Sequence, residues 1–148
     1  MMQTLVAVAA LGCAILLAFS SKKSAHLTDR WEIRNEIEAR AASVADELLD
    51  LAATLPFDGR ADEAGEPLSL EAAVSLAAWD GHRQRVVVPA GETSLALDVV
   101  ASVEPVQKAG DVFVPAGEDA PFRRVRLHIL GPMDVTVEAE RVLAPAAH

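Results

Sequence analysis

Between residues 5 and 19 the sequence carries no charged side chain, and this run restricts the possible folds more than any other feature. A helix rises about 1.5 Å per residue, so residues 1–21 are just long enough to cross a hydrocarbon core of about 30 Å. The apolar surface of such a helix comes from Leu5, Val6, Val8, Leu11, Ile15, Leu16, Leu17 and Phe19. A secretory signal has a basic start and ends close to a small-residue cleavage site. Here no Lys or Arg precedes the run and no such site follows it, so a retained transmembrane helix over residues 1–23 is expected. Lipidation of Cys13, which follows Ala10-Leu11-Gly12, is a second reading. It fits less well, because the apolar run continues past the cysteine. Lys22 and Lys23 lie just after the run, which on the positive-inside rule leaves the remainder of the chain in the cytoplasm. Two lysines are a small bias, and topology stays open at this point.

The remaining residues suffice for one modest domain in a chain of 148 residues. Its apolar content is mostly Ala, Val and Leu, since only 4% of residues are aromatic and Tyr is absent. A core built from them is thin. The formal net charge of -9 sets an acidic surface against the phosphate backbone and against anionic lipid headgroups, so no nucleic-acid partner is expected. With one cysteine, neither an internal disulfide nor a cysteine metal cluster can form.

Residues 24–56 read as a helical stalk. The segment has no glycine, its only proline is the terminal Pro56, and Ala, Leu, Glu and Arg are abundant. Ile37, Ala41, Val44, Leu48, Leu51 and Leu55 recur at spacings of four and three, which places them on one stripe. Glu36, Arg40, Asp46, Glu47 and Asp50 occupy the other side. A stripe of this kind packs against a sheet of its own chain or forms a seam between subunits. Trp31 has two readings, an interfacial anchor or a packing residue. Residues 57–84 read as a loop with one short helix near 71–78, closed by the turn Trp79-Asp80-Gly81-His82.

The period then changes from helical to two, and residues 85–148 are expected to form an antiparallel β domain. Short strands are predicted over 85–88 and 111–114. A longer one over 93–103 is ended by Pro105, and 122–130 with 133–142 make a closing hairpin around Gly131-Pro132. The striped helix would cover the sheet's apolar face, which gives an α+β fold.

The soluble part contains no nucleophile with a base, no glycine-rich phosphate loop and no metal-ligand spacing. Asp80 and His82 are the best candidates for chemistry, and a lone carboxylate and imidazole on a turn more commonly serve the turn itself. Arg123, Arg124 and Arg126 form a basic cluster. Arg124 and Arg126 share a strand face that suits an anion, an acidic neighbour, or protection of a sheet edge by charge. No catalytic residue, cofactor or metal is expected.

The order of parts resembles type IV pilin-like proteins across nearly the whole chain. Ala45-Asp46-Glu47-Leu48-Leu49-Asp50-Leu51-Ala52-Ala53-Thr54-Leu55-Pro56-Phe57-Asp58 is similar to the helix end of minor pilins of the prepilin-type V class. Pro121-Phe122-Arg123-Arg124-Val125-Arg126-Leu127, followed by Asp134-Val135-Thr136-Val137, is similar to their last hairpin. Thr4-Leu5-Val6 resembles the family's Thr-Leu-Ile. The usual basic leader and processing-site glycine are absent, and Ala7 stands where the family carries a glutamate that pairs with a neighbouring subunit's amine. The resemblance therefore implies a minor, tip or initiating subunit, or a pseudopilin. It also implies an inner-membrane location with the C-terminal domain outside the cytoplasm, and other pilin-like subunits as partners through the N-terminal helix. The alternative is a single-pass membrane-anchored binding or adaptor module with a small extracytoplasmic β domain.

Overall fold

The computed structural model describes residues 2–57 and 69–145, with the side chains of residues 2–26 excepted. One helix, α1, runs over Met2–Thr54. The chain divides into two compact units, one up to Glu36 and one from Ile37 onward. In the first unit Leu27, Trp31 and Ile33 are exposed. Among the described residues no helix is long and apolar enough to cross a membrane. The span expected over residues 1–23, with Leu5, Val6, Val8, Leu11, Ile15, Leu16, Leu17 and Phe19, has its side chains outside the described residues.

The second unit is α+β: the C-terminal part of α1 packs on a small antiparallel sheet. The strands are β1 (Arg83–Ala90), β2 (Thr93–Ala109), β3 (Val112–Pro115), β4 (Phe122–Leu130) and β5 (Thr136–Leu143). They lie in the order β1-β2-β4-β5, with β3 paired to the far end of β2. Alternation along β2 and β4 sends Leu95, Leu97, Val99, Ala101, Val125, Leu127 and Ile129 to one face, where all are buried. Against them lie Ile37, Ala41, Val44, Ala45, Leu48, Leu49 and Ala52 of α1. Leu51 and Leu55 are half-buried at the margin of the same cluster. The helix stops where Pro56 cannot continue the ladder. There the Leu55 N–H reaches the Ala52 carbonyl at 3.2 Å, and the Thr54 hydroxyl donates to the Leu51 carbonyl at 2.7 Å.

The segment before the sheet differs from the expected loop and short helix. Its described part holds two 3₁₀ turns, Leu70–Ala72 and Leu76–Trp79, and no α-helix over 71–78. Ser69 caps the first through the Ala72 N–H at 3.2 Å, and Ala73 is extended. The Leu76 N–H is drawn to the Pro56 carbonyl at 2.9 Å. Leu70, Leu76 and Trp79 are fully buried, so anchoring three side chains in the core outweighs continuing one helix. The Trp79 indole N–H donates to the Leu70 carbonyl at 3.1 Å, and the Leu70 N–H donates to Gln84 Oε1.

Several strand boundaries also differ. The first strand begins at Arg83 and runs to Ala90, longer than the expected 85–88. Pro105 does not end β2, which runs on to Ala109. The carbonyl of Pro105 accepts from the Ala116 N–H at 2.9 Å, and a strand residue turns its nitrogen and carbonyl to the same side. The proline nitrogen thus faces the flank where β1 has ended and β3 has not begun. No ladder bond to β4 is lost, and the usual objection to proline in a central strand does not apply. The last strand begins at Thr136 because Met133 and Asp134 both take φ of 57° in the turn that precedes it.

Candidate functional site

The residues that carried a hint of chemistry are dispersed and occupied. Asp80 completes a gap in the sheet. Past the end of β1 the Gly81 N–H donates to the Ala101 carbonyl, and the Ala101 N–H to the His82 carbonyl, each at 3.0 Å. The next N–H on that flank of β2, at Val103, has no strand beside it and donates to Asp80 Oδ1 at 3.0 Å. A carboxylate stands in for a missing carbonyl. Gly81, at φ 74°, allows the two-residue bulge that brings Asp80 there.

His82 is buried with 7% exposure, and neither ring nitrogen has a partner. Asp80 and His82 therefore face different tasks and do not form an acid-base pair. Among the described residues no group of three His, Cys, Asp or Glu side chains could hold a metal ion. Cys13, His26 and His148 lie outside the residues whose side chains are described. His128, half-exposed on the outer sheet face, places Nδ1 at 3.1 Å from Glu138 Oε1.

The basic cluster is not an edge feature, because β4 lies between β2 and β5. Its three arginines are engaged separately. Arg124 pairs with Glu104 at 3.2 Å and donates to the Phe113 carbonyl at 2.7 Å. There it lies beside a minor outer cluster of buried Val106 with Phe113 and Phe122, whose rings meet edge-on at 5.3 Å. Arg126 pairs with Glu140 at 3.3 Å. Arg85 and Asp98 pair at 2.8 Å across β1 and β2, and the hydrogen bond from Arg85 holds the Asp98 carboxyl below the usual aspartate range. These cross-strand pairs engage the arginines of the outer face with carboxylates, and the buried Nε of Arg124 is left without a partner.

Arg123 points to the helix side. Its guanidinium donates to the carbonyls of Glu118, Ala120 and Phe122 and stacks 5.6 Å from the Phe57 ring centroid. It forms one wall of a half-open cleft of about 680 Å³ at the C-terminal end of the helix, with Leu55, Pro56, Phe57, Pro121 and Pro145. Thr54, Glu118 and Asp119 line it as well, so its walls are mixed polar and apolar, and the guanidinium in its lining is spent on carbonyls of the loop between β3 and β4. Neither the orphaned imidazole nor the carboxylate bridging Val103 was visible in the sequence. The Asp-Gly-His triplet signals a turn, but which N–H the turn must serve depends on where β1 ends.

No protein-family model, curated protein or solved structure matches the chain.

Proposed function

We propose that this chain is a non-enzymatic structural subunit, minor pilin-like or pseudopilin-like, of an envelope filament or secretion assembly. It sits in the inner membrane through residues 1–23 and carries its β domain outside the cytoplasm. One observation supports this reading most: a helix whose sequence starts in an uncharged run ends by covering one face of a small antiparallel sheet. That arrangement leaves the N-terminal apolar surface for lipid and for other helices, where small residues such as Gly12 and Ala7, Ala9, Ala10 and Ala14 permit close approach. The absence of assembled chemistry among the described residues is compatible with a structural role without being its evidence.

The second reading, a membrane-anchored binding module acting alone, has the cleft beside Phe57 and Pro121 in its favour. Gentle detergent extraction of the full chain from its native envelope separates the two. A structural subunit brings other helix-anchored proteins with it in defined proportion. A monodisperse protein that comes out alone and retains a small soluble ligand overturns the filament reading.

A further inference from the structure

The exposed segment at 27–36 has a sidedness that a helix merely spanning a gap in water does not need. Leu27, Arg30, Trp31 and Arg34 follow helical spacings of three and four and share one half of α1. Asp29, Glu32 and Glu36 fall on the opposite half. Trp31 is 65% exposed, Leu27 58% and Ile33 50%. Leu27 and Trp31, one turn apart, leave an apolar strip uncovered, whereas Ile33 lies nearly opposite Trp31, and such strips mark contact surfaces.

Charge decides among occupants. Two arginines lie within the apolar half, whereas the acids face away from it. Arginine lays its aliphatic stem along apolar surface and extends its guanidinium to phosphate, with two parallel donors matched to the phosphate oxygens. Tryptophan has an apolar ring and a polar N–H, which suits the boundary between acyl chains and headgroups. In sequence the segment follows Lys22 and Lys23, which themselves follow the uncharged run.

Resting on the anchoring reading, we infer that residues 27–34 form an interfacial contact that lies against anionic phospholipid headgroups. Arg30 and Arg34 reach phosphate, while Leu27 and Trp31, beyond the hydrocarbon core that residues 1–21 span, lie at headgroup level. The acidic half of the same helix faces water, so the segment is held by its orientation although the chain as a whole is acidic. The consequence is a second attachment that fixes how the helix leaves the bilayer.

Trp31 reports on this directly, since the chain has two tryptophans and the other, Trp79, is fully buried. The full chain is reconstituted in vesicles of phosphatidylcholine alone or mixed equally with phosphatidylglycerol. The emission lost in Trp31→Phe is then assigned to this residue. The expected result is a blue shift and quenching by a lipid spin-labelled at its headgroup in the anionic vesicles, reversed by salt. The double variant Arg30→Gln, Arg34→Gln lowers the lipid-bound population roughly fivefold per arginine. Equal Trp31 emission in both vesicles overturns the inference. So does shielding that grows with protein concentration in detergent without lipid, which assigns the face to a second copy. A chain that floats with neither vesicle overturns the anchoring reading and this inference with it, whereas flotation with water-exposed Trp31 overturns the inference alone.

Discussion

His82 shows how burial and hydrogen bonding part company at a single residue. Its backbone carries the ladder beyond β1 while its ring enters the interior with both nitrogens unpartnered. An orphaned buried polar group costs about 1–3 kcal/mol, and an apolar group of similar shape removes that cost. His82→Leu is therefore expected to leave the thermal midpoint unchanged or raise it, read by circular dichroism. Asp80→Ala acts in the opposite direction. It strands the Val103 N–H and is expected to lose about 1–2 kcal/mol in chemical denaturation, with Asp80→Asn recovering part through its amide carbonyl. At Asp98 the effect is one of pH. The Arg85 hydrogen bond lowers its folded pKa, so the pair's contribution is present above the ordinary aspartate value and is lost as pH falls through the depressed one. The stability gap between the natural chain and Asp98→Asn should thus be widest at neutral pH and close in acid, and it should be small because both groups are exposed.

At the scale of elements, the stripe along α1 was legible because 3.6-residue periodicity survives in sequence. Ile37, Ala41, Val44 and Leu48 are buried against the sheet, and Arg141 of β5 ties to Asp50 of the helix at 2.6 Å. Leu48→Ala removes a side chain from the middle of that contact and is expected to cost about 2–5 kcal/mol in urea denaturation. Asp46→Ala, on the exposed side, is expected to change stability by less than about 0.5 kcal/mol. The alternation that defines β2 and β4 was equally legible at Leu95, Leu97, Val99, Val125, Leu127 and Ile129. What sequence hid were outcomes settled by neighbours. Pro105 lies inside a strand because its nitrogen faces the junction between β1 and β3 rather than β4, so no ladder bond to β4 is lost. The 71–78 segment is not an α-helix because Leu70, Leu76 and Trp79 are each pulled into the core. Arg124 and Arg126 lie on a central strand because β5 returns beside β4. Met133 and Asp134 occupy left-handed positions that asparagine and glycine fill more readily, so residue type alone did not mark the turn.

At the scale of the whole molecule, the second unit is a self-sufficient α+β body. Its polar outer face is closed by Arg85–Asp98, Arg126–Glu140 and His128–Glu138 pairs, and its apolar inner face is closed by the helix. Val87, Val112 and Met133 remain exposed on this unit, as does the cleft beside Phe57. Under the proposed function, joining an assembly falls to the uncharged sequence of residues 5–19. The account is tested most directly by placing a photo-activatable side chain at Leu11 of the full chain in its native envelope and identifying the covalent products. It predicts adducts to other helix-anchored subunits of one assembly, alongside lipid. Adducts to lipid alone, or recovery of the chain in the soluble fraction with no membrane product, would contradict it.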